Sequence, residues 1–220
     1  MKPKTSSLFY LTVVIFILIS SIVDAQELTP VKLPPPRTDG GRPLMQVLKD
    51  RSSSRSFSSD TIPVQVLSDM LWAAWGINRP ESGRRTAPSA SNRQEIDVYV
   101  VCAKGVYVYD AVGNLLNPVL AEDIRTLTGT QPFVKDAPVN LVFVADFSKM
   151  GSADDNQKYS TASANAGYIS ENVYLYCASE GLATVVRGSV DKPTLEAAMK
   201  LRPEQKVILA QTVGYPAKTE

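Results

Sequence analysis

Arg51-Ser52-Ser53-Ser54-Arg55-Ser56-Phe57 and Arg84-Arg85-Thr86-Ala87-Pro88-Ser89-Ala90-Ser91-Asn92 are the two stretches of this 220-residue chain whose side chains could do chemistry together. Arg51, Ser53 and Arg55 alternate, so an extended segment turns all three the same way. A guanidinium fork takes two phosphate oxygens at once, and a serine hydroxyl adds another donor. Arginine also keeps its charge inside a pocket. Ala87-Pro88-Ser89-Ala90 is small throughout, which lets backbone approach a flat ligand. Asn92 offers a donor and an acceptor to the edge of a pyrimidine-like ring. Together the segments suit a phosphate tethered to an electron-poor ring. Alone, the first reads as a solvated basic loop and the second as an ordinary turn.

A third piece is Gly181-Leu182-Ala183-Thr184-Val185-Val186-Arg187-Gly188-Ser189. Here a helix ends and a strand follows, and the backbone N–H of Gly188 or Ser189 is free to donate to a ring nitrogen. It reads equally well as a plain helix–strand connection. The chain has no histidine and two cysteines, Cys102 and Cys177. Ser-His-Asp and Cys-His nucleophile pairs are therefore excluded, as are His-based and Cys-rich zinc sites, so no metal site is expected. Neither GxGxxG nor a P-loop pattern occurs. If the chain is an enzyme, an organic cofactor carries the hard step.

These pieces need elements to position them. Leu44, Val47 and Leu48 have helical spacing and lead into Arg51. Pro63 suits a first helical position, and Val66, Leu67, Met70, Leu71, Ala74 and Trp75 form an apolar stripe that Gly76 stops. Asn78 to Asn92 reads as a polar loop. Ile96–Cys102 and Gly105–Tyr109 read as strands, with a third short strand around Leu115 and Leu116. Glu122 to Leu127 is expected to be helical, ending at Gly129. Val139–Ala145 is almost wholly apolar, as in a strand covered on both faces. Ser160–Glu180 is a long Ala- and Gly-rich helix with apolar positions on more than one face, ended by Gly181, and reads as buried at a subunit interface. Ala183–Val186 is a strand, Lys192–Leu201 a helix, and Val207–Val213 the last strand. Helices and strands mix without a βαβ rhythm, which makes the class α+β.

The N-terminus stands apart. Lys2 and Lys4, the apolar run Leu8 to Val23 and the small-residue ending Val23-Asp24-Ala25 read as a secretory signal peptide over residues 1–25, so the protein is expected to be exported, periplasmic or secreted. Removing it takes Lys2, Lys4 and Asp24 from the 23 basic and 22 acidic side chains and leaves 21 of each. A neutral chain gives no reason to expect nucleic acid or an acidic membrane as partner. Residues 26–42, with Pro34-Pro35-Pro36 and Asp39-Gly40-Gly41, read as an extended linker or arm, and the folded domain as 43–220. Cys102 and Cys177 are expected as two buried thiols.

In order and spacing the three pieces resemble the nitroreductase family of FMN-dependent enzymes. Its Arg-x-Ser-x-Arg/Lys-x-Phe pattern is matched by Arg51, Ser53, Arg55 and Phe57. Its Pro-Ser-x-x-Asn-x-Gln segment is matched by Pro88, Ser89, Asn92 and Gln94, and Gly214-Tyr215-Pro216 is similar to its ending. The run Arg84 to Ala90 followed by a Tyr-x-Tyr strand is most similar to the SagB-type dehydrogenase branch, which is associated with oxidising azolines in modified peptides. The resemblance implies a central, mostly antiparallel sheet flanked by helices, with FMN at the interface of a homodimer whose core is the long helix. It implies that Arg51 and Ser53 hold the phosphate or ribityl chain and that Arg55 stabilises the anion formed on reduction. Pro88, Ser89, Ala90 and Asn92 would line the ring, and Gly188 or Ser189 would donate to flavin N5. The substrate would be a small molecule or peptide and the electron donor NAD(P)H. Export places the chain away from NAD(P)H, which keeps open a non-catalytic envelope protein that binds flavin or peptide. One departure is Glu95, where a bulky aromatic often stands.

Overall fold

A computed structural model describes residues 28–217, so the expected signal peptide lies outside the described residues. Along the chain come β1 (Val31–Lys32), α1 (Leu44–Asp50), α2 (Val64–Trp75), β2 (Ile77–Arg79), β3 (Arg84–Arg85), β4 (Ile96–Cys102), β5 (Gly105–Asp110) and β6 (Leu115–Leu120). After two 3-10 turns, Arg125–Thr128 and Pro132–Lys135, follow β7 (Val139–Asp146), α3 (Asp155–Glu180), β8 (Ala183–Arg187), α4 (Lys192–Ala198) and β9 (Gln205–Gly214). Seven strands form one sheet in the order β1-β6-β5-β4-β7-β9-β8, and every pairing is antiparallel. The α+β architecture expected from sequence is the one observed.

Side-chain alternation divides the core between the two faces of the sheet. Val98 and Val100 of β4 meet Met70, Leu71 and Ala74 of α2 and Ile169 and Val173 of α3. Tyr99 and Val101 point the other way and meet Leu195 and Met199 near α4. β7 lies between β4 and β9 with all eight residues buried, which is why its run carries no polar alternation. Each large apolar side chain buried here contributes roughly 1.5–3 kcal/mol.

Several local expectations are corrected. The stretch read as a polar loop contains the hairpin β2–β3 and a short 3-10 turn at Ala90–Asn92. The helix expected over Glu122–Leu127 is a single 3-10 turn. Here Asp123 Oδ1 accepts from Arg125 N and Thr128 Oγ1 donates to Arg125 O, local bonds that compete with helix propagation. α3 starts five residues earlier than expected because Asp154 caps it, accepting from Gln157 N at 3.0 Å. Ala162, Ala166, Ile169, Val173 and Cys177 face the core, while Ser163, Ala164, Tyr168 and Glu171 are exposed. Cys102 is only partly buried, and both cysteines are free thiols.

The proline-rich stretch is extended, as three prolines require, but it docks on its own domain. β1 pairs with β6, and Leu33 is buried. Ser68 Oγ donates to Pro34 O at 2.6 Å, and the buried Asp69 accepts from Arg37 N and Nε, both at 2.8 Å. The sheet thus begins at Val31, ahead of the boundary at Pro43 drawn from sequence.

Candidate functional site

α1 ends at Asp50, and Arg51 closes it with its N–H on Val47 O at 2.8 Å. The chain then runs extended beside the start of β8. Ser54 N donates to Thr184 O, Phe57 bridges to Pro216, and Ser58 N donates to Tyr215 O. Extended backbone turns alternate side chains one way, and Arg51 and Ser53 both meet Tyr174 of α3. The guanidinium lies 5.2 Å from the ring centroid, a cation–π distance. Ser53 Oγ is 2.8 Å from the Tyr174 hydroxyl, which accepts from Val186 N at 2.9 Å. With Tyr174 donating to Ser53, the serine proton is free for a ligand oxygen. A neighbouring cleft of about 210 Å³ is lined by Ser52, Tyr174, Gly181 and Thr184 among others, but not by Arg51 or Ser53. Arg55 is exposed, two residues beyond Ser53. Gly188 and Ser189 are exposed just past the end of β8, two and three residues beyond Val186.

The second segment is built differently. Arg85 is not turned toward open space. It stacks on Trp75 at 4.8 Å, donates to Trp75 O at 2.7 Å and donates to Gln94 Oε1 at 2.7 Å. Burial pushes its pKa below the ordinary arginine value. Gln94 in turn donates to Gly83 O and Asn92 Oδ1, and its N–H reaches Ser89 Oγ at 3.1 Å. Arg85 and Gln94 are therefore struts that hold the turn. Ser91, Asn92 and Gln94 have φ of 54°, 54° and 49°. Three non-glycine residues in the left-handed region within four positions store roughly 1–2 kcal/mol each, and such strain concentrates at functional sites. Pro88, Ser91 and Asn92 are exposed on this turn, while Ser89 and Ala90 are half-buried. Glu95, next in sequence, is fully buried. Its Oε1 accepts from Asn165 Nδ2 at 2.6 Å, and its Oε2 has no partner.

Within one chain these neighbourhoods do not meet. Arg51 and Ser53 pack at the level of Thr184, whose sheet neighbours lead across to Cys102, the last residue of β4. The second segment feeds the first residue of β4, Ile96. The seven residues between those ends span roughly 20 Å. Arg51 and Ser53 thus lie by the start of β8 and reach Val186 through Tyr174, Gly188 and Ser189 follow the other end of that strand, and Pro88, Ser89, Ala90 and Asn92 gather on the turn before β4.

Charge marks the same places. Among the described residues four of eleven arginines pair with a carboxylate: Arg37, Arg42, Arg125 and Arg202. The unpaired ones include Arg51, Arg55, Arg84 and Arg93, all in or beside the two segments. A fixed cation without a carboxylate is chemically suited to an anionic ligand. Sequence reasoning missed Tyr174 as the point where Arg51 and Ser53 meet. α3 also carries Tyr159, Tyr168 and Tyr176, and nothing local distinguishes Tyr174 from them.

The nitroreductase family model matches residues 48–215. A protein of Methanocaldococcus jannaschii designated a nitroreductase, MJ1384, is 26% identical over 169 residues, covering 72% of this chain and 85% of that protein. A crystal structure from Ralstonia eutropha JMP134, also designated a nitroreductase, superposes with a TM-score of 0.83 at 42% identity, covering 87% of this chain and 91% of that one. A structure from Desulfovibrio desulfuricans, described as a nitroreductase in complex with FMN, has the same fold at a TM-score of 0.58 and 21% identity, covering 81% and 89%.

Proposed function

The chain belongs to the nitroreductase family of FMN-dependent oxidoreductases, and from that premise we propose that it binds FMN between two copies of itself. In this reading Arg51 and Ser53 hold the phosphate end and Arg55 lies toward the pyrimidine side. Gly188 and Ser189 present backbone N–H groups to the ring. Pro88, Ser89, Ala90 and Asn92 come from the second copy. The residues fit the group: Arg51 faces an aromatic ring and has no carboxylate partner among the described residues, so a phosphate supplies the missing negative charge. When bound, FMN supplies reversible hydride chemistry between a nicotinamide-type donor and a second substrate. The chain contributes binding, orientation and fixed positive charge. Arg55, an exposed guanidinium, offsets negative charge on the ring.

We further propose that the second substrate is a small molecule or a peptide of the kind used by SagB-type enzymes. That is supported by the run Arg84 to Ala90 and by Tyr107-Val108-Tyr109 on β5. We propose too that the protein acts after export, a reading supported by the leader-like pattern of residues 1–25.

The observation that carries this reading is the convergence of Arg51 and Ser53 on Tyr174, whose hydroxyl accepts from Val186 N of β8. Titration of the purified protein with FMN, followed by the flavin absorbance, tests it. Wild type should bind with a perturbed spectrum, and Arg51→Ala should weaken binding by about 10- to 100-fold, the worth of a charge-assisted hydrogen bond. Equal binding by the variant sinks the assignment. Bound flavin that neither NADH nor NADPH reduces and no acceptor reoxidises would instead favour a non-catalytic flavin binder.

A further inference from the structure

Arg187, the last residue of β8, is 6% exposed and has no carboxylate partner among the described residues. Its guanidinium is held by three neutral oxygens from three elements. Nη1 donates to Thr128 O at 2.5 Å, and Nη2 donates to Asn140 Oδ1 at 2.9 Å and to Thr212 Oγ1 at 2.7 Å. Nε has no partner. Burial pushes the side chain down to about 10 from its ordinary value. A buried cation without a counter-charge costs stability, and an apolar side chain of similar size would avoid that cost.

What the side chain holds is specific. Thr128 ends the first 3-10 turn after β6. Next to it, Gly129 lies so close that a Cβ there would sit 1.8 Å from Nη1. Thr130 N then donates to Ser189 O at 3.2 Å. Phe133, on the second 3-10 turn, lies 5.8 Å from the guanidinium and 5.6 Å from the ring of Phe57. One guanidinium therefore ties segment 125–135 to the sheet. That segment touches both the Ser189 turn and the end of the Arg51–Phe57 segment.

We propose that Arg187 is a positioning residue for the flavin. It latches segment 125–135 against β8, fixes the Gly188–Ser189 turn relative to the Arg51–Phe57 segment, and keeps a permanent positive charge behind that turn. The latch stands on the geometry alone, and its meaning for flavin rests on the proposed function.

Arg187→Met and Arg187→Lys in the full chain test it by hydrogen exchange without flavin and by potentiometry with FMN. In Arg187→Met, amides of 128–135 and 188–190 should exchange about tenfold faster or more, the equivalent of one lost charge-assisted hydrogen bond. Amides of α2 and β5 should not change. The midpoint potential of bound FMN should become more negative in Arg187→Met and stay near wild type in Arg187→Lys. A folded Met variant with unchanged exchange at 188–190, or with an unmoved potential, overturns the proposal. Should Arg187→Met not fold, Gly129→Ala displaces Nη1 while keeping the charge. Faster exchange at 188–190 in that variant upholds the latch, and unchanged exchange refutes it. If wild type takes up no FMN, the cofactor reading fails, and exchange at 188–190 alone decides whether Arg187 is a latch.

Discussion

Tyr174 shows how one atom can organise a candidate site. Its hydroxyl joins Ser53 to Val186 N, and its ring faces Arg51. Tyr174→Phe keeps the ring but leaves the Val186 N–H without its acceptor. The expected loss is about 1–2 kcal/mol in urea unfolding, together with weaker FMN binding, because Ser53 is no longer held. Asp146 is a second residue-scale case. Burial alone would push its carboxyl up, but hydrogen bonds from Ser148 and Arg202 outweigh burial and hold it below the ordinary value of 3.8. The folded carboxyl therefore binds its proton less tightly than the unfolded one. The stability it contributes is complete above the unfolded value and is lost as pH falls through the folded value. Thermal unfolding against pH should show a steeper acid limb for wild type than for Asp146→Asn, and identical limbs would refute this.

At the scale of elements, the arm and the end of α3 make the clearest predictions. Asp69, almost fully buried, accepts from two nitrogens of Arg37 and from Gln65 Nε2. Asp69→Ala leaves those donors without their acceptor and should release residues 33–42 from α2. Limited proteolysis should then cut within that stretch well before the core, and wild-type resistance in the variant would contradict this docking. Gly181 ends α3 at φ 71°, with Cys177 O accepting from its N–H. A Cβ there meets no neighbour, so only backbone strain opposes substitution. Gly181→Ala should lose about 1 kcal/mol without moving the sheet, as measured by chemical denaturation. The short helix α1 is a different case. It buries Val47 but leaves Leu44, Met45 and Leu48 exposed, although their spacing is helical. Periodicity identified the helix, while the way α1 docks on α3 decided which of its apolar residues are covered.

At the scale of the molecule, the separation of the two segments is decisive. A single chain places Arg51 and Asn92 toward opposite ends of β4, which supports the proposed site between two copies. Leu44, Met45 and Leu48 are exposed, and Leu44 lines a groove of about 420 Å³ together with Trp72, Ala73 and Leu175. Complementation tests the shared site. Arg51→Ala and Asn92→Ala should each bind FMN weakly. In a mixed dimer one of the two sites draws both residues from unmutated segments. Co-refolding the two variants should therefore recover a fraction of wild-type FMN binding. No recovery, with mixed dimers demonstrated by sedimentation of differently tagged chains, would place each site within one chain.

By itself the sequence determined the α+β class, the fully buried β7, the start of the helix after Pro63 and the family. Each of these is written in local periodicity, in proline and glycine, or in short motifs. It also brought Arg51 and Ser53 forward, because alternation along extended backbone turns both the same way. It did not show the hairpin inside the polar loop, the 3-10 turn in place of a helix at Arg125–Thr128, or the docking of the arm. Nor did it show that Arg85 is a strut while Arg84 is exposed. Those outcomes depend on which side chains and backbone groups meet across distant elements. The chain fixes local preference, but the partner of a hydrogen bond or a buried charge is chosen only when the layers pack.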